Sequence, residues 1–233
     1  MRYAVLVLEQ PWWELNKDPE QTSVRHFLDG LSRLNGIPIF YATFYDTSSF
    51  DHALKYLMDA RKLDEVDHLI LYVAGHGAGA RIGNGQSRST NLTTIFDRIQ
   101  QYGKDKVAGL ILDSCELGAQ TEIIERGVKT AKLTWAIGYG ISIDWLTSML
   151  INLHLLSIMT RFSPPELRKK KIFENCIQDA CGMFNPFLVL DGDIGEDEEP
   201  FFLSEVLTVI GNSSAREPSL LRADQIWPEL AEK

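Results

Sequence analysis

The sequence predicts a three-layer α/β/α sandwich built on a mostly parallel central sheet. Three observations carry that prediction. Compact apolar runs recur at residues 4–8, 69–74 and 107–112, and residues 133–138 read as a further strand, as expected of strands buried on both faces. Amphipathic segments alternate with the strand-like runs, five strand–helix units in all, and such alternation builds parallel sheets with helices on both faces. The composition, 45% hydrophobic and 24% charged over 233 residues, suits a globular chain long enough to bury a sizeable core.

Taken in order, residues 4–8 form the first strand, and a loop with Pro11, Trp12 and Trp13 follows. Thr22 or Ser23 caps a helix with Val24, Phe27, Leu28, Leu31 and Leu34 on one face; Gly36 ends it and Pro38 prevents resumption. Residues 37–44 are the second strand. Ser48 or Ser49 caps a helix carrying Phe50, Leu54, Leu57 and Met58 at helical spacing. The third strand, 69–74, leads into a polar, Gly-rich loop at 78–89. Thr90 caps the next helix, with Leu92, Ile95, Phe96 and Ile99 inward and Gly103 at its end. The fourth strand is 107–112, followed by a helix at 116–126, a fifth strand at 133–138 and a buried apolar helix at 143–162.

Ser163-Pro164-Pro165-Glu166 is a helix start with a complete capping box. That helix places Leu167, Phe173, Cys176, Ile177, Ala180 and Cys181 on one face, and residues 169–171 on its solvated side. Residues 186–190 read as a sixth strand and residues 191–199 as an acidic surface linker.

Charge and cysteine usage bound the function. A net charge of −9 argues against direct nucleic-acid binding, which needs a basic footprint, and against adsorption to anionic membranes. The run at 143–162 is interrupted by Asp144, Asn152 and His154, so a core helix is expected and not a membrane span. Three cysteines with no framework point to a reducing, cytoplasmic setting. No zinc spacing, calcium loop, Walker loop or dinucleotide fingerprint is present, and no metal or cofactor is expected.

Two strand ends carry the chemistry. Residues 69–74 run into Gly75-His76-Gly77, and residues 107–112 into Asp113-Ser114-Cys115. Sites in open α/β sheets form at strand carboxyl ends, so neighbouring strands would bring together an imidazole and a thiol. Glycines around His76 permit close backbone approach. A cysteine opening a helix sits near a positive dipole end, which favours the thiolate. The other histidines, His26, His52, His68 and His154, and the cysteines Cys176 and Cys181 read as structural. On the residues alone, Asp113 reads as a helix-start cap.

The Gly75-His76-Gly77 and Asp113-Ser114-Cys115 pair, each after a strand, resembles the caspase-like cysteine peptidases: caspases, metacaspases, separase-type domains and the bacterial CHAT domains. The wording Asp-Ser-Cys is most like metacaspases, although these usually carry His after the catalytic Cys, where Glu116 stands here. The stretch 138–159 is similar to CHAT domains. The resemblance implies the caspase-like fold, with residues 1–162 as catalytic core and 163–233 as an extension completing the same domain. It also implies Cys115 as nucleophile, His76 as general acid/base, and the backbone amides of Gly77 and Cys115 as an oxyanion hole. Asp113 would line the pocket for the residue before the cut and favour Arg or Lys, with Asp144 as a second wall. The implied partners are a protein substrate and a regulatory protein, in bacterial defence or stress signalling.

Two other readings stay open on the residues. One is a non-catalytic caspase-like module that docks a partner through 78–89 and 191–199. The other is an α/β domain binding a small ligand at the same strand ends.

Overall fold

The computed structural model describes residues 2–11, 23–83, 88–103, 105–189, 200–213 and 217–232. Trp12, Trp13, Thr22 and the acidic stretch 191–199 lie outside them, as do residues 84–87 of the predicted loop.

In chain order the elements are β1 (Tyr3–Glu9), α1 (Arg25–Asn35), β2 (Ile39–Thr43), α2 (Thr47–Met58) and β3 (His68–Ala74). Three short strands follow, β4 (Gly77–Ala78), β5 (Arg81–Gly83) and β6 (Ser89–Asn91). Then come α3 (Leu92–Tyr102), β7 (Val107–Asp113), α4 (Thr121–Thr130), β8 (Trp135–Tyr139) and α5 (Trp145–Met159). The chain ends with α6 (Pro164–Leu167), α7 (Lys170–Cys181), α8 (Leu203–Val206), β9 (Leu207–Gly211), β10 (Ser219–Leu220) and α9 (Ala223–Ile226).

The main sheet has the order β10-β9-β8-β7-β3-β1-β2. The five strands from β8 to β2 are parallel, and β9 and β10 join antiparallel. Alternate residues of each central strand enter two separate cores, which is why the strands read as unbroken apolar runs. Val5, Val7, Ile70, Tyr72, Ile111 and Ile137 face α1, α5 and α7. Leu6, Leu8, Leu71, Val73, Leu110 and Leu112 face α2, α3 and α4. Each fully buried aliphatic side chain contributes about 1.5–3 kcal/mol, so both layers are held by the same strands.

Several expectations are corrected. The predicted loop at 78–89 is organised into the small antiparallel sheet β4-β5-β6. Asp46, not Ser48 or Ser49, caps α2; its carboxylate accepts the Ser49 amide at 2.8 Å, and the Ser49 hydroxyl oxygen accepts the Asp46 amide at 2.9 Å. Thr90 belongs to β6, and Asn91 occupies the cap position of α3 without a side-chain hydrogen bond. Leu34 is 85% exposed, off the buried face of α1. The Ser163 capping box is present, but it starts a single turn, α6, and the apolar face continues on a separate helix, α7. Among the described residues of 186–190 there is only an isolated bridge, Val189 to Phe202. The strand beyond β8 is β9.

β9 is also tied to the loops beside it. Gly140 N–H donates to Val206 at 2.8 Å, Thr208 Oγ1 to Gly118 at 3.1 Å, and Asn212 Nδ2 to Leu133 at 2.8 Å. No helix among the described residues is long and apolar enough to cross a membrane.

Candidate active site

β3 and β7 are parallel neighbours, and their register pairs Ala74 with Asp113. His76 and Cys115 each lie two residues past that pair, so equal extensions of two adjacent strands bring them to one place. Both line a cleft of about 180 Å³ at the carboxyl ends of the sheet, with Gly75, Asp113, Ser114, Ser142, Ile143, Trp145 and Ser148. A larger cavity of about 710 Å³ opens at the opposite end of the strands, beside Arg2, Asn35 and Arg161. It carries neither a thiol nor an imidazole, and none of the candidate site residues named above lines it.

The two loops meet closely. A Cβ on Gly77 would lie 1.9 Å from the Cys115 carbonyl oxygen and 2.5 Å from Ser114 Oγ, so only glycine fits there. The His76 carbonyl accepts the Gly83 N–H at 2.7 Å, and Gly75 N–H donates to Asp113 O at 3.3 Å. Gln10, at the end of β1, holds the β5–β6 turn, donating through Nε2 to the carbonyls of Arg88 at 2.8 Å and Tyr45 at 3.2 Å. His76 is exposed to solvent, Cys115 partly so. Cys115 Sγ lies 3.7 Å from the Ser142 hydroxyl.

Cys115 does not open a long helix. After Asp113 the chain turns through Glu116, at φ 62°, into a three-residue 3₁₀ turn, Leu117–Ala119, and α4 begins only at Thr121. The expected helix at 116–126 therefore starts late, and the dipole argument for the thiol falls with it.

Asp113 is the last residue of β7, not a helix cap. It is 7% exposed, and its Oδ2 accepts the Tyr72 hydroxyl at 2.5 Å. Tyr72 in turn accepts from Asn152 Nδ2 at 3.0 Å, and Asn152 Oδ1 accepts from the Tyr139 hydroxyl at 2.9 Å. Burial pushes the Asp113 carboxyl up to about 6; hydrogen bonds from Tyr72 and Ser148 oppose the rise, and the charge of Glu9 adds to it. Burial likewise raises the Tyr72 hydroxyl well above its ordinary value, so it stays a donor.

Asp144 stands apart from this arrangement. It is exposed, and its carboxylate caps α5, accepting the Thr147 amide at 2.8 Å and hydroxyl at 2.7 Å. Those bonds hold its carboxyl below the usual range. The wall expected from Asp144 is formed by its neighbours Ser142, Ile143 and Trp145.

The residues read as structural have structural contacts. His154 Nδ1 bonds Ala180 O at 2.7 Å, and His52 Nδ1 bonds Ser48 O at 2.7 Å. Burial pushes the Cys176 and Cys181 thiols up to about 12. Sequence reasoning missed Gln10, Tyr72, Ser148 and Asn152. The signal for the last two is their spacing: polar residues four apart, and so on one face, in a mostly apolar helix. Among the described residues no three His, Cys, Asp or Glu side chains converge to hold a metal.

No protein-family model matches this chain, and no curated protein matches it in sequence. Among solved structures it is similar to a secreted C11 cysteine protease from Bacteroides thetaiotaomicron, determined by X-ray in complex with an irreversible peptide inhibitor. The TM-score is 0.53 at 13% identity, covering 91% of this chain. The chain spans 66%, just under two thirds, of that protein's length. The likeness is one of fold: a caspase-like α/β sandwich with a seven-stranded, mostly parallel sheet.

Proposed function

We propose that this chain is a cysteine endopeptidase that cuts protein substrates after Arg or Lys. The observation that carries the reading is the shared cleft: a thiol, an imidazole and a buried carboxylate at equivalent points of two paired parallel strands. The fold likeness to a cysteine protease supports the same class of chemistry.

In the proposed reaction, His76 takes the thiol proton of Cys115, and the thiolate attacks the scissile carbonyl carbon. The oxyanion is held by the backbone N–H groups of Gly77 and Cys115, whose close approach the glycine permits. Collapse of the intermediate breaks the C–N bond, and His76 delivers the proton to the leaving amine. Water, deprotonated by His76, then hydrolyses the thioester and restores the thiol.

Asp113 lies at the inner end of the cleft. A substrate guanidinium or ammonium there offsets the cost of ionising a buried carboxyl, whereas a neutral side chain leaves that cost standing. Selectivity for basic residues follows from that difference. The experiment is cleavage of fluorogenic peptides bearing Arg or Lys before the reporter, by the wild type, Cys115→Ala and His76→Ala. Loss of cleavage in both variants supports the assignment. Wild-type rates in either would sink it.

A further inference from the structure

Three loops border the cleft, after β3, after β7 and after β8, and all three are bonded at one residue. Glu116 follows Cys115. Its side-chain Oε2 accepts the N–H of Gly79, in the loop after β3, at 2.7 Å. Its own N–H donates to the carbonyl of Ile141, in the loop after β8, at 3.2 Å. Glu116 is in the left-handed region, φ 62°, a conformation unfavourable for a residue other than glycine, asparagine or aspartate. That conformation turns the chain back so that the Cys115 carbonyl accepts the N–H of Leu117 at 2.7 Å and faces Gly77.

We propose that Glu116 is a positioning residue, whose carboxylate fixes the spacing between the His76 loop and the Cys115 loop. The proposal rests on the peptidase reading and adds a residue to it. The Gly77 contact alone only presses the loops together; a contact limit sets how near they come, not how far they part. Gly75 N–H on Asp113 O ties the two loops just before His76; beyond His76 the bond from Gly79 to Glu116 supplies the restraint against parting, two residues past the oxyanion amide of Gly77. A carboxylate accepting a backbone N–H is among the stronger hydrogen bonds of a protein. Its loss releases the loop that carries both the general base and one oxyanion donor, and geometric loosening of that kind lowers turnover more than substrate affinity.

The test uses the full chain with Glu116→Ala and Glu116→Gln, the second keeping a neutral acceptor of the same reach. Backbone amide exchange at Gly79 and steady-state kinetics on an Arg peptide are read together. The expected result for Glu116→Ala is faster exchange at Gly79, roughly tenfold lower kcat and KM within about twofold of wild type. Glu116→Gln recovers most of both. Unchanged exchange at Gly79, or unchanged kcat, overturns the proposal. So does faster exchange spread evenly through β3 and β7, which marks general destabilisation. If the wild type cleaves no peptide, the peptidase reading fails and this role fails with it. If the wild type cleaves and Glu116→Ala cleaves equally, only the role of Glu116 fails.

Discussion

Replacing Asp113 by Asn moves stability and activity in opposite directions. The carboxyl is raised from an ordinary 3.8 to about 6 in the folded chain. Between those values the unfolded chain has released its proton and the folded chain has kept it, so stability falls as pH rises through that window. Above about pH 6 the folded chain carries an ionised, buried Asp113 at a cost of roughly 3 kcal/mol. Asparagine has no proton to lose and still offers an oxygen to the Tyr72 hydroxyl. The variant matches wild type near pH 3.5 and exceeds it by roughly 3 kcal/mol at pH 8. Urea unfolding of both proteins across pH 3.5–8 measures the difference, with other titrating groups cancelling between them. On an Arg peptide the same variant loses about 10²-fold in kcat/KM, the size of a charge-assisted hydrogen bond. Stability curves that run parallel across the pH range would refute the burial argument. Undiminished cleavage after Arg would refute the role in recognition.

Four further outcomes are expected. Gly77→Ala places a methyl group 1.9 Å from the Cys115 carbonyl oxygen, and cleavage falls by about 10²-fold or more because the two loops must separate; kinetics on an Arg peptide check it. Tyr72→Phe removes a donor from Asp113 and leaves Asn152 Nδ2 without its acceptor, costing roughly 1–3 kcal/mol; it also moves the acid limb of the kcat/KM profile for Arg peptides to higher pH. Native iodoacetamide treatment adds one group, at Cys115, and three after denaturation, because Cys176 and Cys181 are buried; intact mass distinguishes the two. Ser163→Ala removes the capping box of α6 and costs about 1 kcal/mol in urea unfolding, with peptide cleavage unchanged.

What the sequence makes legible here is what long apolar runs and simple spacing encode. The four strand-like runs place the central strands to within two residues at each end, and His76 and Cys115 are found from their places just beyond two of them. Asp113 is legible as polar, but its partners are not: Tyr72, Ser148 and Asn152 come from another strand and a helix, and only three-dimensional packing unites them. Strands of two or three residues, such as β4, β5 and β6, are too short for a period to show. The late start of α4 depends on a left-handed Glu116, a conformation glutamate does not advertise. Asp46 lost to Ser48 and Ser49 as predicted cap because all three are good caps within four positions. Asp144 follows the fifth strand, which suggests a pocket wall, and lies inside the expected helix 143–162; its capping role shows only because the helix starts at Trp145.

The bonds from β9 to the loops around the cleft carry a consequence for biosynthesis. β8 gains its second neighbour only through β9, whose partner residues lie some seventy positions later in the chain. A nascent chain that has emerged through α5 already contains the thiol and the imidazole, yet Gly140 and Gly118 have no Val206 or Thr208 to bond. At roughly 5–20 residues per second, synthesis leaves those two loops without their β9-side bonds for several seconds. Every residue that lines the cleft lies between Gly75 and Ser148, so the order of the strands delivers the site first and the support behind two of its loops later.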